Sequence, residues 1–276
     1  MNHRAHVEKQ RLLNGEQIAK IHTEALRDFR DIQLLINGGF DFLRYLKIPA
    51  KGIVADLGSG TGMGATVLSK QPDIQKVYAI EFSEQFVLEI MPEVFSQFRA
   101  EQSKIIRVVG DFNNIELEDG SLAVILDVDS FHHSEDLNAT LKECHRVLQP
   151  GGVIISIDRA WPDTYTREEL DAMLDREYND ATKKLFGIPV GQSFTRRDYG
   201  EHEYTIKEWA FFYKQNGFET NVCSLIHPPA LNRIFLKLPT FQVSIFLASI
   251  FSKLGMKRHY IYGFNPTRKL FISIKK

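Results

Sequence analysis

The strongest constraint on this chain is a short apolar run that opens directly into a glycine-dense loop. The segment reads VADLGSGTGMGA, Val54 to Ala65, with Gly58, Gly60 and Gly62 alternating just past the run Gly52–Leu57. An apolar run of that length bounded by a turn reads as a buried strand. Glycines let the backbone turn sharply and come close to a ligand, and the helix that follows offers unpaired N–H groups. In an open parallel sheet such a turn lies at the carboxyl edge, where ligands bind.

The same rhythm continues downstream. Apolar runs at 76–81, 105–110, 122–128 and 153–158 read as further strands, with helical patterns at 85–99 and 137–148 between them. Strands alternating with helices imply a parallel sheet covered on both faces, a doubly wound α/β fold. Gln149-Pro150-Gly151-Gly152 reads as the turn before the fifth strand. Upstream, Ile18, Ile21, Ala25, Phe29, Ile32, Leu35 and Ile36 recur at helical spacing, Gly38-Gly39 is expected to break that helix, and a second short helix follows over 40–46. Residues 159–204 lose the rhythm and are expected to be a strand-free insertion over the strand ends. Thr205, with Glu208 three residues on, forms a capping box for a helix that Gly217 stops. Runs at 219–225 and 269–274 read as two last strands. The expected organisation is an N-terminal helical cap (1–49), a ligand-binding core (50–158), a lid insertion (159–204) and the rest of the same sheet (205–276).

Bulk properties remove several classes of function. The 34 basic and 35 acidic residues nearly cancel, so the broad basic surface of a nucleic-acid binder is not expected. Two cysteines, Cys144 and Cys223, support neither a disulfide framework nor a zinc site, no metal is expected, and a reducing cytoplasm fits. The N-terminal MNHRAHVEKQRLL lacks the apolar core of a secretion signal. The apolar stretch 238–252 contains Pro239 and Gln242 and is too short to span a bilayer, which leaves a buried or homodimer-forming helix.

The glycine loop also fits the GxGxxA fingerprint of dinucleotide binders. Asp56 argues otherwise, because a carboxylate at that strand end suits an ammonium or sulfonium charge better than a pyrophosphate. Glu81, 19 residues after Gly62, is placed to accept both hydroxyls of a ribose. Asp111-Phe112 pairs an acceptor with a ring, which suits adenine. Each of these three follows its own strand.

With these pieces the sequence resembles the class I S-adenosylmethionine-dependent methyltransferases of small molecules, over residues 50–158. The resemblance is carried by VADLGSGTGMG, YAIEFSE, VVGDF, LAVILDVDSFHHSED and LKECHRVLQPGG. It implies a Rossmann-like sheet of seven strands with an antiparallel last strand, and S-adenosylmethionine as cofactor. By the same resemblance Asp56, Gly58, Ser59, Gly60 and Gly62 hold the methionine end. Glu81, with Phe82 beside it, binds the ribose. Asp111 and Phe112 meet the adenine, and Asp127 or Asp129 faces the methionine amino group or the acceptor.

Methyl transfer needs orientation and a dry cavity, and a base only where the acceptor must lose a proton. His132, His133 and Asp158 are the candidates for that chemistry, since they follow the fourth and fifth strands. Arg159, Trp161, Arg196, Arg197, Tyr199, His202 and Tyr204 are the candidate acceptor contacts. The two arginines prompt an expectation of a sugar or sugar phosphate acceptor, methylated on O or N in glycan or natural-product biosynthesis. The other readings are a nicotinamide oxidoreductase, a non-catalytic adenosylmethionine-binding subunit, and a protein or nucleic-acid methyltransferase. Base-amino methyltransferases carry a D/N-P-P-Y type element after strand four, whereas this chain has Asp127-Val-Asp-Ser130.

Overall fold

The sheet is assembled from segments whose apolar side chains face both ways. A computed structural model describes residues 14–185, 187–189, 191–226, 259–262 and 268–276. Its strands are β1 (Gly52–Leu57), β2 (Ile74–Glu81), β3 (Ile105–Val109), β4 (Leu122–Val128), β5 (Leu148–Arg159), β6 (Phe218–Ile226), β7 (His259–Tyr262) and β8 (Arg268–Lys275). They lie in the order β3-β2-β1-β4-β5-β8-β6-β7. Strands β1 to β5 run parallel, and β8 is antiparallel to both β5 and β6. The expected seven strands with an antiparallel last one are present, and the short β7 adds an eighth beside β6.

Val54, Val124 and Ile155 point to one face, where they pack under α1 (Gly15–Tyr45), α2 (Met63–Ser69) and α3 (Met91–Gln97). Ala55, Ile125 and Ile154 point to the other, under α4 (Leu137–Val147) and α7 (Ile206–Gln215). Burial on both faces is why these strands read as continuous apolar runs rather than as alternating ones. The chain enters β1 between β2 and β4, so the connections on its two sides diverge and open a crevice at the carboxyl ends of β1 and β4.

Three local expectations are corrected. First, α1 is one continuous helix, opened by a capping box between Asn14 and Gln17. Gly38-Gly39 does not break it. A Cβ at Gly39 would lie 2.9 Å from Ile155 Cγ2, so this glycine is a notch that lets the helix backbone settle on β5. Second, residues 149–152 do not precede the fifth strand. They lie within β5 as an irregularity, with Gly151 at φ 74° and a register shift against β4. Third, the insertion contains two short helices, α5 (Arg167–Leu174) and α6 (Asp180–Leu185). The start of α5 is a capping box between Thr166 and Glu169, a signal present in the sequence. The box at Thr205 and Glu208 opens α7 as expected, and Gly217 follows that helix at φ 84°.

No helix among the described residues is long and apolar enough to cross a membrane. The stretch 238–252 lies outside the described residues.

Filling the notch tests the fit of α1 on the sheet. Gly39→Leu is expected to lower the unfolding free energy by about 1–3 kcal/mol through overpacking. Urea denaturation should show an earlier midpoint with an unchanged slope.

Candidate functional site

Asp56 ends β1 with its carboxylate buried. Its Oδ2 accepts hydrogen bonds from Ser59 Oγ at 2.6 Å and from the Ala65 amide at 2.7 Å. The loop from Ser59 to the start of α2 is therefore folded around this one oxygen. Gly64 must lack a side chain, since a Cβ there would meet Asp56 Oδ2 at 2.6 Å. Gly62 sits at φ 85° at the head of α2, where a Cβ would press on the Phe95 ring at 2.5 Å. Burial pushes the Asp56 carboxyl up to about 7, although both hydrogen bonds oppose the shift.

Glu81, at the end of β2, reaches across to the same loop. It accepts from the Gly60 amide at 2.8 Å and from the Ser83 amide at 2.9 Å. A carboxylate offers about four lone pairs, so these bonds leave it capacity for a ligand hydroxyl. After β3, Asp111 Oδ1 accepts from the backbone and side-chain nitrogens of Asn113, both at 2.8 Å.

These residues enclose a cavity of about 320 Å³. Asp56, Gly58, Ser59, Gly60, Glu81, Phe82, Asp111, Phe112, Asp129 and His133 line it, all of them candidates from the sequence. Ile32 of α1 and Phe86, from the π turn Phe86–Ile90 ahead of α3, complete the wall together with Thr61, Met63, Asn113, Val128 and Ser130. The sequence reading missed these residues. Ile32 was marked only as a core position of its helix, and a π turn, though frequent at functional sites, has no sequence signature.

Other candidates lie away from the cavity lining. Gly62 shapes the loop from behind. Asp127 is fully buried and accepts from Ser130 Oγ, the Ser130 and Phe131 amides and Ser156 Oγ, so it holds the turn after β4. His132 and His133 share the short 3-10 turn Phe131–His133 but face different ways. His132 Nδ1 is 2.6 Å from Asp158 Oδ1, and its amide donates to Asp158 Oδ2 at 3.1 Å. His133 lines the cavity with its ring edge-on to Tyr199. Burial raises the Asp158 carboxyl to about 7 against the pull of its hydrogen bonds and of Arg159.

The insertion candidates form a buried ion network behind the strand ends. Arg159 pairs with Glu201 at 2.6 Å and with Glu203 at 3.5 Å, and Arg196 pairs with the same two carboxylates. Trp161 Nε1 donates to Glu203 at 2.6 Å, and the Tyr178 hydroxyl donates to Glu201. Burial raises the Glu201 carboxyl, but Arg159, Tyr178 and Arg196 outweigh it and hold it at about 2. Arg197 pairs with Asp175 at 2.7 Å on the outer side. His202 donates through its amide to the His132 carbonyl at 2.9 Å, and Tyr204 stacks edge-on against Trp209. The expectation that Arg196 and Arg197 stand ready for an acceptor anion is corrected: their guanidinium groups are occupied by carboxylates of this chain.

Two observations show that the cavity fits an adenosyl cofactor. Gly60 is at φ 51° with almost nothing near its missing Cβ, so the backbone itself borders the space. Thr61 Oγ1 is buried at the wall and has no hydrogen-bond partner among the described residues. No cluster able to hold a metal occurs among the described residues.

Residues 55–156 match the family model described as a methyltransferase domain. That segment belongs to the class I methyltransferases. The methyltransferase domain is 31% identical over 158 residues to a sarcosine/dimethylglycine N-methyltransferase of Halorhodospira halochloris, an alignment spanning 56% of this chain and 53% of that one. It is 32% identical over 111 residues to a malonyl-[acyl-carrier protein] O-methyltransferase of Coxiella burnetii, spanning 40% and 34%. The chain thus covers about half and about a third of the length of these two relatives. Its fold is shared with the YcgJ protein of Bacillus subtilis (TM-score 0.54, 16% identity, 87% and 98% of the two chains). It is also shared with an S-adenosylmethionine-dependent methyltransferase of Thermotoga maritima (TM-score 0.52, 17% identity, 95% and 99%).

The loop's dependence on Asp56 has a pH signature. The carboxyl binds its proton more tightly in the folded state than in the unfolded chain. Its contribution is full below the ordinary carboxylate pKa and is lost as pH rises to about 7. Asp56→Asn should flatten the fall of stability between about pH 4 and pH 7. Asp158 keeps part of that slope, because it is raised in the same direction. Urea midpoints measured across this range check the outcome.

Proposed function

We propose that this chain transfers a methyl group from S-adenosylmethionine to a small-molecule acceptor. The observation that carries the reading is the convergence, on one cavity, of the glycine loop after β1, Glu81 after β2 and Asp111-Phe112 after β3. The loop amides and Thr61 suit the carboxylate of the methionine end, Glu81 suits the ribose hydroxyls, and Asp111 with Phe112 suits the adenine. When bound, the cofactor supplies the methyl group and a sulfur leaving group.

This chain's residues orient the two reactants and exclude water. Ile32, Met63, Phe86 and Val128 make the wall apolar, which strengthens every charge interaction inside it. His133 is the candidate proton acceptor for an acceptor group that must lose a proton, because its ring borders the cavity. We assign His132 and Asp158 to the support of its turn. The choice of acceptor falls to residues 159–204, whose Tyr199 and Gly200 back His133.

The occupied state of Arg196 and Arg197 withdraws the support for a phosphorylated sugar. An acceptor nitrogen is favoured instead, in keeping with the named activity of the Halorhodospira halochloris relative.

Calorimetry tests the reading. S-adenosylhomocysteine should bind and NAD should not; the reverse pattern overturns the proposal. Glu81→Ala is expected to weaken S-adenosylhomocysteine by about 2 kcal/mol or more, because ribose hydroxyls lose a charged acceptor and Gly60 loses its tether. An unchanged affinity in a folded variant would remove Glu81 from the site.

A further inference from the structure

The arginines near the carboxyl edge of the sheet are not equivalent. Arg159 and Arg196 are closed into carboxylates behind the strand ends, and Arg197 pairs on the outer side. Arg268, at the start of β8, is paired instead with a carboxylate that itself lines the cavity. Its Nε lies 3.1 Å from Asp129 Oδ1, and its Nη2 meets Asp129 Oδ2. The Asp129 backbone is held at φ 53°, with its amide donating to the Ile157 carbonyl at 2.9 Å. Both side chains keep about a quarter of their surface open, 25% for Asp129 and 27% for Arg268. The Nη1 donors of Arg268 have no hydrogen-bond partner among the described residues.

The cavity therefore presents a positive and a negative group side by side. An incoming anion alone would meet the charge of Asp129, and an incoming cation alone would meet that of Arg268. A molecule carrying both charges satisfies each of them, and it brings no net charge that must be desolvated. The other charged groups near this pair are Asp28 on α1, within the field of Arg268, and His132 with Asp158, within the field of Asp129. Asp28 is itself engaged by Arg27, and Asp158 by His132. That leaves Asp129 and Arg268 as the pair offered to a ligand.

We infer that the Asp129–Arg268 pair is the recognition site for an amphoteric acceptor, a small amino acid whose amine faces Asp129 and whose carboxylate takes the Nη1 edge of Arg268. The inference rests on the methyltransferase reading above and narrows its acceptor. In the transfer, the acceptor ammonium first gives a proton to the His133 imidazole. The freed nitrogen lone pair then forms the bond to the methyl carbon. The carbon–sulfur bond breaks with its electron pair left on sulfur, and the positive charge passes from sulfonium to the methylated nitrogen.

Calorimetry on the full chain tests this without a known acceptor. S-adenosylhomocysteine is titrated first into wild type, Arg268→Met, Asp129→Asn and Arg197→Met, which reports whether each cavity is intact. The common α-amino acids and their N-methyl derivatives are then titrated into each complex, alongside ethylamine and propionate. At least one amino acid should bind the wild-type complex about ten-fold or more tightly than either single-charge compound. Arg268→Met should weaken that ligand by about ten-fold or more, as expected when a charged hydrogen-bonding partner is lost. Asp129→Asn should weaken it too, and Arg197→Met should not. If S-adenosylhomocysteine binds but no amino acid does, the inference is overturned and the methyltransferase reading stands. Equal binding of ethylamine or propionate, or wild-type amino-acid affinity in Arg268→Met, overturns it as well. If S-adenosylhomocysteine does not bind wild type, both readings fall together.

Discussion

A buried carboxylate at the end of β1 must find donors or take up a proton, and Asp56 finds them in the loop that follows it. Ser59 and the Ala65 amide turn inward to one of its oxygens, which bends the chain back into α2. Glu81 then draws the Gly60 amide from the neighbouring strand. Two carboxylates on adjacent strands thus hold one glycine loop, and the space beside that loop is the cavity. The glycine positions follow from this arrangement. Gly64 gives way to Asp56 itself, Gly62 to Phe95, and Gly58 to Ser130, whose Cβ would lie 2.5 Å from an added methyl.

The turn after β4 is organised by the same principle. Asp127 takes four donors from Ser130, Phe131 and Ser156, and Asp158 takes the ring and amide of His132. With both carboxylates satisfied, the turn is fixed so that His132 points into the protein and His133 points into the cavity. The insertion adds a further layer. Its arginines and glutamates neutralise one another, and its His202 amide closes on the His132 carbonyl. The charge in this segment, which in sequence suggested a surface for anions, is spent within the protein on holding the insertion against the end of β5. Replacing one member of such a buried network leaves its partner uncompensated, so its members are poor probes of acceptor binding.

Much of the fold was legible because it depends on local pattern. Gly52–Leu57 and Leu122–Val128 are strands over the residues their apolar runs mark, and the capping box at Thr205 places the start of α7 to the residue. The loop, Glu81 and Asp111-Phe112 were legible as a set because each follows its own strand, and parallel topology brings strand ends together. What was hidden depends on contacts between distant segments. Gly38-Gly39 looks like a helix breaker until Ile155 is seen against it. Arg196 looks like a free guanidinium until Glu201 and Glu203 are placed around it. Asp127 and Asp129 are indistinguishable in sequence, yet one is sealed in the core and the other stands at the cavity wall. Ile32 is one of several apolar positions on α1, and only the seating of that helix decides which of them reaches the cavity.

The central claim is that the space bordered by Gly60, Glu81 and Phe112 holds an adenosyl cofactor. A crystal structure of the chain with S-adenosylhomocysteine tests this most directly. The account requires the ligand in that space, with the ribose hydroxyls on Glu81, the adenine against Phe112 with its amino group near Asp111, and the sulfur facing the turn that bears Asp129 and His133. A ligand bound elsewhere, or in this cavity with its adenine toward His133 and its sulfur toward Asp111, would contradict it.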